Sequence, residues 1–139
     1  MIRHDDVQVG DELPAFAVSV RRDDLVRYAG ASRDFNPIHW NEQFAASVGL
    51  PDVIAHGMFT MGVASRCVTS WTGDPSAVVE YGVRFTKPVV VPNDGVGATI
   101  DVAGKVAEKN DDGTVRVDLT VTSAETKVLG MVRLVVRLA

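Results

Sequence analysis

The sequence predicts an α+β fold, an antiparallel sheet with helices collected on one face. Three observations lead there. Helix signals are concentrated in the first half, the second half is rich in valine and in apolar–polar alternation, and short Asn/Asp-Gly turns separate its segments. Consecutive strands joined by such turns pair antiparallel.

With 139 residues the chain has the size of one domain, and no repeat, low-complexity segment or linker divides it, so residues 1–139 are expected to form a single domain. About two-thirds of the unfolded surface of a chain of this length can be buried, which permits one sizeable core. A composition of 46% hydrophobic and 23% charged residues excludes disordered and fibrous classes. The net charge of −4, with Lys and Arg scattered, lacks the electrostatic footprint of a nucleic-acid binder. Met-Ile-Arg-His-Asp-Asp at the start holds no apolar signal core, and no run approaches the roughly 20 apolar residues that span a bilayer. A cytoplasmic protein is therefore expected, with no membrane and no nucleic acid among its partners.

Residues 1–14 read as an irregular lead-in ending at Pro14, followed by a short strand over Ala15 to Val20. Asp23 and Asp24 favour a helix start, Leu25, Val26, Tyr28 and Ala29 share one helical face, and Gly30 fits near the helix end. A loop follows. Asn41 is a plausible N-cap for a helix over Glu42 to Val48, with Phe44, Ala45 and Val48 inward and Gly49 as its stop. Leu50-Pro-Asp52 reads as a turn. The segment from Gly57 to Trp71 is apolar almost all round, the pattern of a helix buried on most sides, and Gly62, Ala64 and Ser65 permit close approach. Thr72-Gly-Asp-Pro75 ends it. Strands are expected at Ala77 to Phe85, Gly97 to Asn110, Thr114 to Ser123 and Lys127 to Arg137. Asn93-Asp-Gly95 and Asp111-Asp-Gly113 supply positive-φ turn residues, and Glu125 to Lys127 forms a polar tip.

The loop is the stretch that asks for chemistry. Tyr28-Ala-Gly-Ala-Ser-Arg-Asp-Phe-Asn-Pro-Ile-His39 places the Asp34 carboxylate and the His39 imidazole five positions apart, with Asn36 and Pro37 between them. Pro37 fixes its own φ and pushes Asn36 away from helical geometry, so the segment turns and can aim both side chains inward. A carboxylate and an imidazole with separated pKa values suit general acid and base catalysis, although Asp34 as a turn cap and His39 as a satisfied polar residue is the plainer account. Gly57 either simply begins the long helix or offers its N–H, at the positive end of the helix dipole, to an oxygen on which negative charge develops.

The remaining polar groups read more simply. His56 reads as a structural hydrogen-bonding residue or cap, and His4 as an exposed residue. Ser65 either bonds back to the preceding turn or reaches a cavity. Cys67, the one cysteine, reads as a small buried hydrophobe. Histidines at 4, 39 and 56 have none of the short spacings of a metal site, and Gly95-Val-Gly97 lacks the third glycine of a dinucleotide fingerprint. Arg84 and Lys87 can receive a phosphate, but two charges near a strand end are more often solvated surface.

The run from Tyr28 to His39, followed by Ala55-His-Gly-Met58, resembles the hydratase 2 motif of the MaoC-like hydratases and dehydratases. Trp71, Gly73-Asp-Pro75, Glu80-Tyr81, Val83-Arg-Phe-Thr86 and Val91-Pro-Asn-Asp-Gly95 extend the likeness over nearly the whole chain, toward the branch of catalytic B subunits of actinobacterial (3R)-hydroxyacyl-ACP dehydratases. The resemblance implies a single hot dog fold, a long antiparallel sheet wrapped around a central helix, here Gly57 to Trp71. It implies reversible dehydration of a (3R)-hydroxyacyl thioester to the trans-2-enoyl thioester, the acyl chain riding on acyl carrier protein or coenzyme A and no further cofactor or metal being needed. Asp34 and His39 match the family's catalytic pair, Gly57 its oxyanion N–H, Asn36 a loop-orienting residue, and Ser65 a serine that only some relatives carry. Many members have Gly where this chain has Arg33. A dimer is expected, homodimeric or with a related hot dog subunit. Two rival readings are a noncatalytic acyl-binding partner subunit and an acyl thioesterase.

Overall fold

The computed structural model describes residues 2–139. Three strands, β3 (Ala98–Lys109), β4 (Thr114–Ser123) and β5 (Thr126–Arg137), form the expected antiparallel meander. Alternation explains their pairing: Val102 faces Val121, Val106 faces Val117, and Val117 faces Leu134, all buried. Each such side chain contributes about 1.5–3 kcal/mol when fully buried, so a register slip that turned the set outward would be strongly disfavoured.

The two remaining strands do not pair with their sequence neighbours. The order is β1-β3-β4-β5-β2, so β1 (Glu12–Val20) and β2 (Val78–Phe85) are the edges. β1 begins three residues before the expected Ala15. Pro14 does not end the lead-in but sits inside this edge strand, next to a register shift between Leu13 and Phe16, where a missing N–H is tolerated. A 3-10 turn at His4–Asp6 precedes it. His4 is half-buried there, with its Nε2 enclosed and unpaired, contrary to the exposed position expected.

Helix α3 (Gly57–Thr72) covers one face of the sheet and touches all five strands. Thr60, Val63, Ala64, Cys67, Val68 and Thr72 form its buried face. The expectation of burial on most sides fails along one stripe: Met58, Gly62, Arg66 and Ser70, spaced by one turn, are exposed. Gly62 accordingly faces open space. The close approach of helix to sheet lies on the other partner, at Gly104 of β3, where a β-carbon would stand 3.1 Å from Cys67 Sγ and 2.8 Å from Leu119 Cδ2. Cys67 is the buried small residue expected, its thiol pushed to a raised pKa by burial.

Helix α1 spans Arg22–Ser32 and buries Leu25 and Ala29. The Arg21 N–H donates to Asp24 Oδ2 at 2.8 Å, and the helix ends on Arg33 in a left-handed conformation, φ 61°. Helix α2 is shorter than expected, Glu42–Ser47, and only Ala45 of its three expected inward residues is buried. Phe44 and Val48 are 40% and 55% exposed, because a helix of this length rests on the neighbouring turn through one residue. Arg22 ties these parts together, its guanidinium reaching Glu42 at 3.0 Å, Asp52 at 2.7 Å and the Val91 carbonyl.

Between β2 and β3 the chain turns at Asp94, whose carboxylate accepts the N–H groups of Gly97 and Val96 and is held below its ordinary pKa by them. Gly97 has φ 77°, and a β-carbon there would stand 2.0 Å from the Val20 carbonyl oxygen, so only glycine fits. Among the described residues no helix is long and apolar enough to cross a membrane.

Candidate active site

The loop from Arg33 to Trp40 is held by its own short polar side chains. The Asp34 N–H donates to Ser32 Oγ at 3.2 Å, the Asn36 N–H to Asp34 Oδ1 at 3.1 Å, and the Ile38 N–H to Asn36 Oδ1 at 3.2 Å. Pro37–His39 then forms one 3-10 turn. Local bonding of this kind replaces a helix with a fixed turn. Asn36 therefore orients the loop through its neighbours and does not line the cleft.

This turn carries His39 inward. Its Nδ1 lies 2.7 Å from the Ile54 carbonyl oxygen, which can only accept, so Nδ1 carries the proton and donates. In the neutral ring the lone pair is on Nε2, 3.9 Å from Asp34 Oδ2. Ile54 is held in turn by a bridge to Val90, flanked by hydrogen bonds from the Ala55 N–H to the Val89 carbonyl and from the Val91 N–H to the Val53 carbonyl. Burial pushes the His39 pKa down, the Ile54 hydrogen bond opposes this, the His56 charge adds to it and the Asp34 charge opposes it. The net direction is toward a neutral imidazole. Asp34 is half-exposed, so the pair has one dry member and one facing solvent.

Gly57 follows at the first residue of α3. Its N–H donates to no acceptor among the described residues, as expected where a helix begins. His39 and Gly57 line one cleft of about 380 Å³, together with Thr60 and Lys87 and with apolar walls from Ile38, Ile54, Val89, Val128 and Leu129. Such a mixture, mostly apolar with a few convergent polar groups, is that of a small-molecule site. Phe85 forms its rim over Gly57. A bulge in β5 at Gly130 and Met131, with φ 48° at Met131, shifts the pairing with β2 just beside this wall.

His39 of the loop and the helix start at Gly57 are thus brought into one cleft, and Asp34 stands beside His39 but does not itself line that cleft. Ser65 stands apart: its hydroxyl donates to the Gly62 carbonyl at 2.7 Å, two turns along α3, and it lines no part of the cleft. Arg84 and Lys87 are both exposed, and Lys87 reaches the cleft wall. Sequence spacing also missed that His56 joins Asp34 and His39, ligand atoms of the three lying within 4.8 Å. A metal ion must lie in the plane of each imidazole that binds it. The rings of His39 and His56 are stacked, with centroids 3.8 Å apart and planes at 21°, so their lone pairs run in nearly parallel sheets and do not converge.

The MaoC like domain model matches residues 7–124. The (R)-specific enoyl-CoA hydratase of Rhodospirillum rubrum is 34% identical over 106 residues, covering 76% of this chain and 72% of that protein. The 3-hydroxyacyl-thioester dehydratase X of Mycobacterium tuberculosis is 40% identical over 79 residues, 57% of this chain but 27% of that protein. Among solved structures, a MaoC-like dehydratase superposes with a TM-score of 0.95 at 43% identity, over 99% of this chain and 42% of that one. The R-hydratase PhaJ1 of Pseudomonas aeruginosa gives 0.82 at 26% identity, over 98% of this chain and 85% of that one. Some of these relatives are thus much longer than the present chain. The family model over residues 7–124 and the hydratase relative place this chain in the MaoC-like domain family, with the hot dog fold of that family.

Proposed function

We propose that this chain catalyses reversible water elimination from a (3R)-hydroxyacyl thioester, giving the trans-2-enoyl thioester, with the acyl group carried on coenzyme A or acyl carrier protein. One observation carries the reading: His39 Nε2 faces Asp34 Oδ2 at 3.9 Å, and His39 lines the same cleft as the unpaired Gly57 N–H.

In the dehydration direction the thioester carbonyl acidifies the C2 proton. His39 Nε2 accepts that proton, and the Gly57 N–H stabilises the charge that develops on the carbonyl oxygen. The C3–O bond breaks as the leaving hydroxyl takes that same proton, passed on from His39 by way of the Asp34 carboxylate, so water departs. The pair is left as it began, a neutral imidazole and a carboxylate, and hydration runs the same steps backward. A positioned acid or base contributes about 10²–10⁴-fold, and one oxyanion donor about 10²–10³-fold. Neither alone is enough for an enzyme.

Proton transfer and oxyanion stabilisation account for the whole reaction, so the scheme calls for no metal or cofactor beyond the pantetheine that the substrate brings. The residues 1–139 act as one domain in a dimer, either of identical chains or with a related hot dog subunit. Two free sheet edges and the exposed Val79 and Phe85 on the β2 edge support this. A cytoplasmic location fits such a substrate.

Purified protein, alone and co-expressed with a candidate partner subunit, is assayed with trans-2-enoyl and (3R)-hydroxyacyl thioesters on both carriers. Asp34→Asn and His39→Ala should each lower turnover by about 10²-fold or more. Unchanged turnover in both variants would sink the proposal, and release of free thiol in place of hydration would identify a thioesterase.

A further inference from the structure

The proton-transfer scheme uses one of the two buried imidazoles, His39, and leaves His56 without a task. His56 occupies the N-cap position of α3, next to Gly57, yet its side chain caps nothing. Its Nε2–H instead donates to the Asp34 carbonyl oxygen at 3.1 Å, across 22 positions of sequence. One face of its ring lies on His39, with centroids 3.8 Å apart. Tyr28 meets the ring edge-on at 4.8 Å. The residue is 2% exposed, and its Nδ1 has no hydrogen-bond partner.

An unpaired buried nitrogen is destabilising. A position that only needed filling would be better served by Phe, which presents a similar flat ring and leaves nothing unpaired. The contacts that His56 does make go to the catalytic loop and to the base itself.

We propose that His56 is a positioning residue that locks the Asp34 main chain and the His39 ring to the start of α3, so that both proton carriers keep their place relative to the Gly57 N–H. The inference rests on the reading of Asp34 and His39 as the proton carriers. It also makes His56 a partner in the charge balance of the base, since two stacked imidazoles oppose one another's protonation. The titratable groups around the pair are Asp34 beside His39, Tyr28 against the His56 ring, and Lys87, which lines the same cleft as His39.

Two variants of the full chain separate the two contacts. His56→Phe keeps a flat ring under His39 and removes the donor and the charge, whereas His56→Gln keeps an amide donor for the Asp34 carbonyl and removes the ring. Each should lower kcat by about 10- to 100-fold, the size of effect a small misplacement of catalytic groups produces. KM for the acyl thioester should change less than about threefold, since neither variant alters the cleft walls, a uniform-binding loss being the one that moves KM alone. The acid limb of kcat/KM should move to higher pH in His56→Phe, because the interaction by which His56 lowers the His39 pKa has been removed. Thermal unfolding of each variant shows how much of the sample is folded, and kcat is expressed per folded protein. Wild-type kcat and an unmoved acid limb in the folded variants would overturn the proposal, as would an activity loss matched by the loss of folded protein. His39→Ala separates the two readings. If it is inactive while the His56 variants are fully active, only the role of His56 falls; if it keeps wild-type turnover, the proton-transfer scheme falls as well.

Discussion

The ring of Phe85 lies against Gly57 so closely that a β-carbon at position 57 would stand 2.8 Å from Phe85 Cε1. An edge-strand side chain thereby depends on the absence of a side chain at the start of the central helix.

Gly57→Ala keeps the backbone N–H, and the backbone there is one that alanine adopts without strain. The clash falls on the far end of a side chain that is 57% exposed, so Phe85 can swing aside, and stability should change by less than about 1 kcal/mol. The displaced ring would be pushed within the cleft rim, and kcat/KM should fall by about 10- to 100-fold. The double variant Gly57→Ala/Phe85→Ala should recover most of that loss. Steady-state kinetics beside urea unfolding checks both parts, and a double variant as slow as Gly57→Ala alone would assign the loss to something other than this contact.

As the proposed base His39 works only when neutral, and burial, first among its influences, holds it below the ordinary value of 6.5. The acid limb of kcat/KM should therefore have its midpoint below 6.5, with activity lost as pH falls through it. Stability has the same sign. Between the folded value and 6.5 the unfolded chain binds more protons, so this group's contribution is complete above 6.5 and is lost as pH falls toward the folded value. Urea unfolding at pH 7.5 and 5.5 should show a larger acid loss in wild type than in His39→Asn. Equal losses, or an acid limb above 6.5, would contradict the assignment.

Arg33 holds φ 61° at the C-terminal cap of α1, directly before Asp34. A left-handed conformation costs a residue with a β-carbon about 1–2 kcal/mol, and the greater freedom of glycine in the unfolded chain returns part of that, about 0.4–1 kcal/mol. Arg33→Gly should therefore raise stability by about 0.5–1 kcal/mol without altering the Asp34 geometry, measurable as a higher urea midpoint at unchanged slope. It also gives a reason for the glycine that many MaoC-like chains carry at this place. A lower midpoint would mean that the Arg33 side chain makes a contribution larger than the backbone strain.

Much of the sheet was legible because its signals are local. β4 runs over Thr114–Ser123 as its alternation predicts, and Asp-Gly and Asn-Asp-Gly segments turn where positive φ is needed. The start of α3 at Gly57 and the turn through Pro37 were legible for the same reason, since a proline and a helix boundary act on their immediate neighbours. The errors came where an element's neighbours are distant. Pro14 reads as a stop, but it lies in a strand whose edge position tolerates it. Phe44 and Val48 share a helical face with Ala45 in sequence, but α2 is too short for that face to reach the core.

For the site, the sequence by itself singled out Asp34 and His39 as candidate proton carriers and required their loop to turn, because Asp34, Asn36, Pro37 and His39 act on one another within six residues. Only the tertiary structure decided the rest. The Ile54 carbonyl selects the tautomer of His39, Phe85 depends on the bare Gly57, and His56 crosses to the Asp34 main chain. Ser65, plausible in sequence, turns its hydroxyl back to its own helix. Periodicity and turn chemistry report forces between near neighbours, whereas a hydrogen bond across 22 positions exists only once sheet and helix have chosen how to pack.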